Sequence, residues 1–236
     1  VLLKKADSLG LKIMVDLVLS HTSEEHPWFQ ESRQSRDNPK ADWYVWADPK
    51  PDGAPPNNWN SVFGGSAWQW EPLRQQYYLH HFLVEQPALN GYNDAVVEEH
   101  LSIMRHWLDK GVRGFRLDAI HHLHHDPMLR DNPPAPNALK NRVNNMYDYQ
   151  EYKYSLAQPA ADGYLQKLRQ VADEYDGALL LGEVVFRDMA RRFTGNDKLH
   201  NTYFFDIIMK RDHDGAGFRQ AVEEILKDLP DNALYW

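Results

Sequence analysis

Two short apolar runs, each ending on a carboxylate, constrain this chain most strongly. Gly114-Phe115-Arg116-Leu117-Asp118-Ala119-Ile120 reads as a buried β-strand that delivers an arginine and an aspartate to its C-terminal end. Gly177-Ala178-Leu179-Leu180-Leu181-Gly182-Glu183 is an apolar run of the kind that fills a parallel sheet covered on both faces, and it also ends on an acid. A third run, Leu11 to His21, follows the helix-like segment Val1 to Leu9 and the turn residue Gly10, and ends on a histidine. Between the runs lie helical patterns. Asp94 to Lys110 places Val97, Leu101, Met104, Trp107 and Leu108 near the three-four spacing and stops at Gly111, while 161–175 carries a stripe of Leu165, Leu168, Val171 and Ala172. Residues 202–208 are expected to form a further strand and 216–227 the helix behind it. This alternation predicts an α/β fold with a parallel sheet.

One stretch breaks the alternation. Residues 22–90 show little sustained periodicity, are rich in Pro, Asn, Gly and Trp, and contain short aromatic strands such as Gln76 to Leu83. That is far too long for an ordinary connection, so 22–90 is expected to be an inserted small domain within a body made of 1–21 and 91–236. Its tryptophans, Trp28, Trp43, Trp46, Trp59, Trp68 and Trp70, are either sugar-stacking platforms or, for the most part, the core of a domain short of aliphatic residues.

The pattern Asp16-x-Val18-x-x-His21, the tract Gly114-Phe115-Arg116-x-Asp118 and the strand-end Glu183 occur in the order in which the α-amylase family of glycoside hydrolases carries such motifs on strands three, four and five. The chain resembles that family along essentially its whole length, and its α-glucosidase and oligo-1,6-glucosidase branch most. Tracts typical of that branch are His21-Thr22-Ser23, Pro56-Asn57-Asn58-Trp59, Gly65-Ser66-Ala67-Trp68 and Tyr77-Tyr78-Leu79-His80. The resemblance implies a (β/α)₈ TIM barrel, here partial and covering about strands three to six, with the inserted domain forming a wall of the active-site cleft. A complete barrel takes about 250 residues, so a chain of 236 with an insertion reads as part of a longer one.

By resemblance, Asp118 is the nucleophile and Glu183 the general acid and later base of a retaining glycosidase, for which the two carboxyl groups lie roughly 5–5.5 Å apart. Arg116 shares a face with Asp118 and favours its ionised form. His21 is a donor suited to a sugar hydroxyl, His122 approaches the substrate, Val185 lines the leaving-group subsite, and Asp16 supports the network. A third carboxylate is expected past Trp236. The implied activity is a retaining α-glucosidase acting on short oligosaccharides, leaning to α-1,4 links because Ala119 is small where 1,6-specific relatives tend to have valine. A transglycosylase or isomerase converting trehalose or sucrose shares these motifs. A non-catalytic binding subunit is the alternative from another class, against which the retained acids argue.

His121 and His125 have the i, i+4 spacing of helical zinc ligands and permit a metal-dependent reading, against which stands the missing Glu of the helical metalloprotease arrangement. Apart from His122, the run His121-His122-Leu123-His124-His125 is expected on a solvated loop or helix face. No cofactor is expected. Ser20, where many α-amylases have a calcium-binding asparagine, makes a calcium bridge doubtful, which leaves a structural divalent cation elsewhere in the full chain. Ala88 replaces the aspartate of the Gln-Pro-Asp-Leu-Asn signature within Gln86 to Asn90. Net charge −8 with scattered Lys and Arg argues against a nucleic-acid surface, no run of eighteen apolar residues suggests a membrane span, and zero cysteines suit a reducing compartment, so a cytoplasmic location is expected.

Overall fold

The computed structural model describes residues 1–136, 145–203, 205 and 214–228. In chain order these form α1 (Leu2–Ser8), β1 (Val15–Val18), α2 (Pro27–Ser32), β2 (Trp46–Ala47), β3 (Trp68–Glu71), β4 (Gln76–Leu79), α3 (Asp94–Asp109), β5 (Gly114–Asp118), α4 (Ala160–Asp173), β6 (Leu179–Glu183), α5 (Arg187–Phe193), β7 (Asn201–Tyr203) and α6 (Gly215–Asp228). They divide into two compact units: Val1–Val18, Glu99–His121 and Pro159–Trp236 make the first, Leu19–Glu98 and His122–Gln158 the second. Among the described residues no helix is long and apolar enough to cross a membrane.

The first unit is built on a parallel sheet with the order β1-β5-β6-β7. Its strands obey the period of two. In β5, Phe115 and Leu117 are fully buried while Arg116 and Asp118 are half-buried on the opposite face. In β6, Leu180 is fully buried, and Gly182 is held tight: a Cβ there would stand 2.4 Å from Leu199 Cδ1. Helix α4 buries Ala161, Tyr164, Leu165, Leu168, Val171 and Ala172, the expected stripe widened by two residues. The turns entering β1 and β5 repeat one device. Gly10 (φ 72°) and Gly111 (φ 102°) follow α1 and α3 in the left-handed region, with paired closing bonds, Leu11 N to Ala6 O and Gly10 N to Asp7 O after α1, Val112 N to Trp107 O and Gly111 N to Leu108 O after α3. Two consecutive backward bonds with glycine at the pivot end a helix abruptly and turn the chain into a strand.

One expected strand comes out shorter, and another is described only in part. The run Leu11 to His21 is strand only from Val15 to Val18, the four residues that pair with β5; His21 forms instead an isolated bridge with Ala88 in the second unit. The strand expected over 202–208 is seen as β7, Asn201–Tyr203; residues 204 and 206–208 lie outside the described residues.

The second unit carries the antiparallel order β2-β4-β3. Its core gathers Val45, Ala47, Trp59, Ala67, Trp68, Leu79 and Ala88, with the Trp59 and Trp68 rings stacked at 5.9 Å. Here 122–158 groups with the segment after β1, which the sequence pattern does not indicate. The reason is a lattice of polar contacts: Trp59 Nε1 donates to Arg130 O (2.9 Å), Asn57 Nδ2 to Leu129 O (3.1 Å) and Asn58 Nδ2 to Asn132 O (2.9 Å), and Asn132 N returns a bond to Asn58 Oδ1 (2.8 Å). Trp68 Nε1 donates to Asn57 Oδ1 at 2.8 Å, so both buried indoles satisfy their one donor. Of the six tryptophans considered as platforms, Trp59 and Trp68 are core, and Trp28 and Trp43 pack edge to face at 4.8 Å.

Candidate active site

Arg116 is the hub of the first unit's polar face. Adjacent parallel strands place Asp16 beside Arg116 and Glu183 beside Tyr203 in register, and Asp118 lies two residues on from Arg116. Nη1 donates to Asp118 Oδ1 at 2.5 Å and to both Asp16 oxygens at 2.9 Å; Nη2 donates to Glu183 Oε2; Nε donates to Tyr203 Oη at 2.9 Å. Tyr203 in turn donates to Glu183 Oε2 at 2.5 Å. One guanidinium thus faces three carboxylates, and the surplus of negative charge suits a reaction centre that becomes cationic. Partial burial works against the arginine's charge, but the hydrogen bonds it donates to Asp16, Tyr203 and Asp118 outweigh it and hold its pKa above the ordinary value. The side chains of Asp118 and Glu183 are 24% and 16% exposed, reachable from solvent yet mostly walled by protein, whereas Asp16 at 59% is open.

The backbone around the two inner acids is closely defined. Ala119 follows Asp118 with φ 40°, a left-handed conformation that strains a residue with a Cβ. It turns the chain into the short helical turn Ile120–His122, where His121 is buried and its pKa is lowered by desolvation to about 3. The neutral ring reaches the Glu183 carbonyl with Nδ1 at 3.3 Å; a carbonyl accepts only, so Nδ1 carries the proton. Val184 N donates to Tyr203 O at 3.1 Å on the other side. The backbone at Glu183 is therefore held from the turn after β5 and from β7, and Val185, two residues beyond, is half-buried.

The remaining expected site residues, His21 and His122, belong to the second unit. Gln86 Oε1 accepts from Leu83 N at 3.0 Å, which fixes its amide, so Gln86 Nε2 donates to His21 Nε2 at 2.9 Å. The proton then sits on His21 Nδ1 and goes to Ser20 Oγ at 3.0 Å. The N–H expected to reach a sugar hydroxyl is given to Ser20 in this structure. His122 is buried, its ring 4.8 Å from those of His81 and Phe82.

The histidine run is not a solvated face. His121, His122, His124 and His125 are all at most 5% exposed. Apolar Ile120 and Leu123 pull the turn inward, His124 Nε2 takes a bond with Gly91 O at 3.1 Å, and Tyr92 Oη donates to His125 O at 2.5 Å. Burial lowers the pKa of His124 and His125 to about 4 each. Among the described residues no group of three or more His, Cys, Asp or Glu side chains is arranged to hold a metal ion. The second unit also has an open cavity of about 370 Å³ lined by Asp42, Tyr44, Trp46, Asn90, Tyr92 and His125 among others; none of the expected site residues lines it.

Sequence reasoning passed over Tyr203. Residues 202–208 are expected as strand, which puts Tyr203 at its start; in the structure β7 is Asn201–Tyr203, and Tyr203 pairs with Glu183.

The family model for the α-amylase catalytic domain matches residues 1–229. The chain is 51% identical to a probable alpha-glucosidase of Rhizobium meliloti over 97% of its own length and 42% of the relative's. It is 40% identical to an oligo-1,6-glucosidase of Heyndrickxia coagulans over 87% of its length and 36% of that relative's. A solved alpha-glucosyl transfer enzyme, XgtA, superposes with a TM-score of 0.93 at 48% identity, covering 99% of this chain and 45% of that one. The chain thus spans roughly two fifths of the length of the proteins it matches.

Proposed function

We propose that this chain, which belongs to the α-amylase family, supplies the nucleophile and the acid/base of a retaining α-glucosidase that releases terminal α-linked glucose, preferentially α-1,4-linked, from short oligosaccharides. The observation that carries this reading is the single guanidinium of Arg116 bonded to both Asp118 and Glu183 on neighbouring strand ends. Two carboxyl groups bonded to one guanidinium support the close spacing of a retaining enzyme over the wider one that seats a water in inverting enzymes.

In the first step an Asp118 oxygen attacks the anomeric carbon while Glu183 gives its proton to the glycosidic oxygen, so the carbon–oxygen bond to the leaving sugar breaks and a β-glucosyl ester forms. In the second, Glu183 takes a proton from water, the water oxygen attacks the same carbon, and Asp118 leaves as a carboxylate with α-glucose released. Arg116 holds Asp118 through Nη1, and Asp16, bonded to the same guanidinium, steadies Arg116. His21, His122 and Val185 are assigned to substrate contact, and the chemistry calls on no cofactor. The parallel strands β1, β5, β6 and β7 are read as strands three to six of the barrel, 22–90 as its inserted domain, and the compartment as the cytoplasm.

A second reading is supported by the likeness to XgtA: a sugar hydroxyl in place of water would resolve the same ester and make the protein a glucosyl transferase. Time-resolved NMR of the whole protein that carries this chain, with maltose, isomaltose and sucrose and an Asp118→Asn control, separates the cases. α-Glucose appearing before mutarotation, with an inactive control, supports the hydrolase. New disaccharides without net glucose favour the transferase, and β-glucose first or an active control refutes the double displacement.

A further inference from the structure

We propose that Tyr203 is a positioning residue for Glu183, a hydroxyl locked as a donor to Oε2 so that Oε1 is the oxygen that gives and takes the catalytic proton. This rests on the reading of Glu183 as the acid/base. The lock follows from donor arithmetic. Arg116 has donors and no acceptor, so the contact from Nε to Tyr203 Oη at 2.9 Å makes the phenol oxygen an acceptor there. The phenol has one proton to direct elsewhere, and Glu183 Oε2 lies 2.5 Å away. Arg116 Nη2 donates to that same Oε2. An oxygen already receiving two donors has no place for a proton of its own unless one of them is displaced, which leaves Oε1.

Strands β1, β5, β6 and β7 hold this arrangement together. Glu183 and Tyr203 are directly paired across β6 and β7, and Val184 N to Tyr203 O at 3.1 Å anchors the tyrosine's backbone. From β5 come Arg116 and, on its other side, Asp118; Asp16 of β1 sits behind the same guanidinium; the neutral His121 ring meets the Glu183 carbonyl rather than its carboxylate. Among the described residues Tyr203 is thus the one uncharged side chain that bonds the Glu183 carboxylate, and it bonds the ionised form.

Removing that donor destabilises ionised Glu183, so the protonated acid persists to higher pH. In the whole protein, Tyr203→Phe is expected to move the alkaline limb of the kcat/KM profile upward by about half a unit to one unit, the worth of one hydrogen bond to a charged group in a partly open site. A structural role alone lowers the rate and leaves the limb where it was. A second measurement reads the same proton without the profile: acid assistance matters less for an activated leaving group, so the loss in Y203F is expected to be several-fold larger with maltose than with 4-nitrophenyl α-glucoside. A limb that stays or moves down, or equal losses on the two substrates, overturns the role of Tyr203. Glu183→Gln, run beside it, separates the two readings. If it abolishes the limb while Y203F leaves the limb unmoved, Tyr203 alone is misassigned; if it keeps the limb, Glu183 is not the acid and both readings fall.

Discussion

The two units are held together by different means. The first is a layered β/α body in which apolar residues fill one face of each strand and leave strand ends to carry Asp118, Glu183, Arg116 and Tyr203. The second has three short strands, and its coherence comes from stacked tryptophans and from Asn and Trp side chains bonded to backbone more than seventy residues away, as in Trp59 with Arg130 and Asn58 with Asn132. The difference teaches where stability and reactivity can be separated. In the first unit the polar groups face one another on a scaffold already complete without them, whereas in the second the polar groups are the scaffold.

The largest expected effect tests the first half of that contrast. Asp118→Asn should lower kcat/KM on the order of 10⁴-fold or more, as loss of a nucleophile does. Arg116 keeps Asp16 and Glu183 as partners, so the urea midpoint should move by no more than about 1 kcal/mol equivalent. A large loss of stability would mean that the acids support the sheet. Next, Trp59→Ala should cost the second unit about 3–5 kcal/mol, since it empties a core position and orphans the Arg130 carbonyl. Within this chain tryptophan emission is weighted toward that unit, which holds six of the eight tryptophans: Trp28, Trp43, Trp46, Trp59, Trp68 and Trp70. An early fluorescence transition with helical circular dichroism retained would show the units melting apart, and a single shared transition would break the comparison.

Acid provides a smaller, graded probe. His124 and His125 in the second unit and His121 in the first keep low folded pKa values, about 4, 4 and 3, so each binds a proton in the unfolded chain before it does so in the folded one. Stability is then fully present above about pH 6.5 and falls as pH drops toward 4, by about 1 kcal/mol per pH unit for each histidine. The fluorescence midpoint should fall more steeply than the midpoint by circular dichroism; equal slopes would erase this distinction. Smallest is Gly182→Ala, whose methyl must push aside Leu199 Cδ1, the end of a flexible side chain. It should cost about 1 kcal/mol in the first unit and leave the tryptophan transition in place.

The first unit was the legible one for a physical reason. Period-two burial, the three-four stripe of α4 and the glycine stops at Gly10 and Gly111 are local patterns, and the strand-end positions of Asp118 and Glu183 follow from them. Tyr203 escaped because its role depends on register between β6 and β7 rather than on any run in the sequence. The inclusion of 122–158 in the second unit escaped because single asparagine-to-backbone bonds have no periodic signature. The histidine run misled for the opposite reason: its polarity suggested solvent, while its apolar neighbours Ile120 and Leu123 decided burial. His21 is bonded to Ser20 and Gln86, partners that its strand-end position in the sequence does not indicate.

Ala119 has a bearing on how this chain can be re-engineered. With φ at 40°, the position after Asp118 accepts glycine, asparagine or aspartate with least protest, tolerates alanine, and resists β-branched side chains whatever room the neighbouring pocket has. Exchanging alanine for valine here is therefore a change of backbone as much as of size. A library that varies 119 alone samples a vocabulary set by chirality, and widening it means letting the turn at Ile120–His122 vary in the same step.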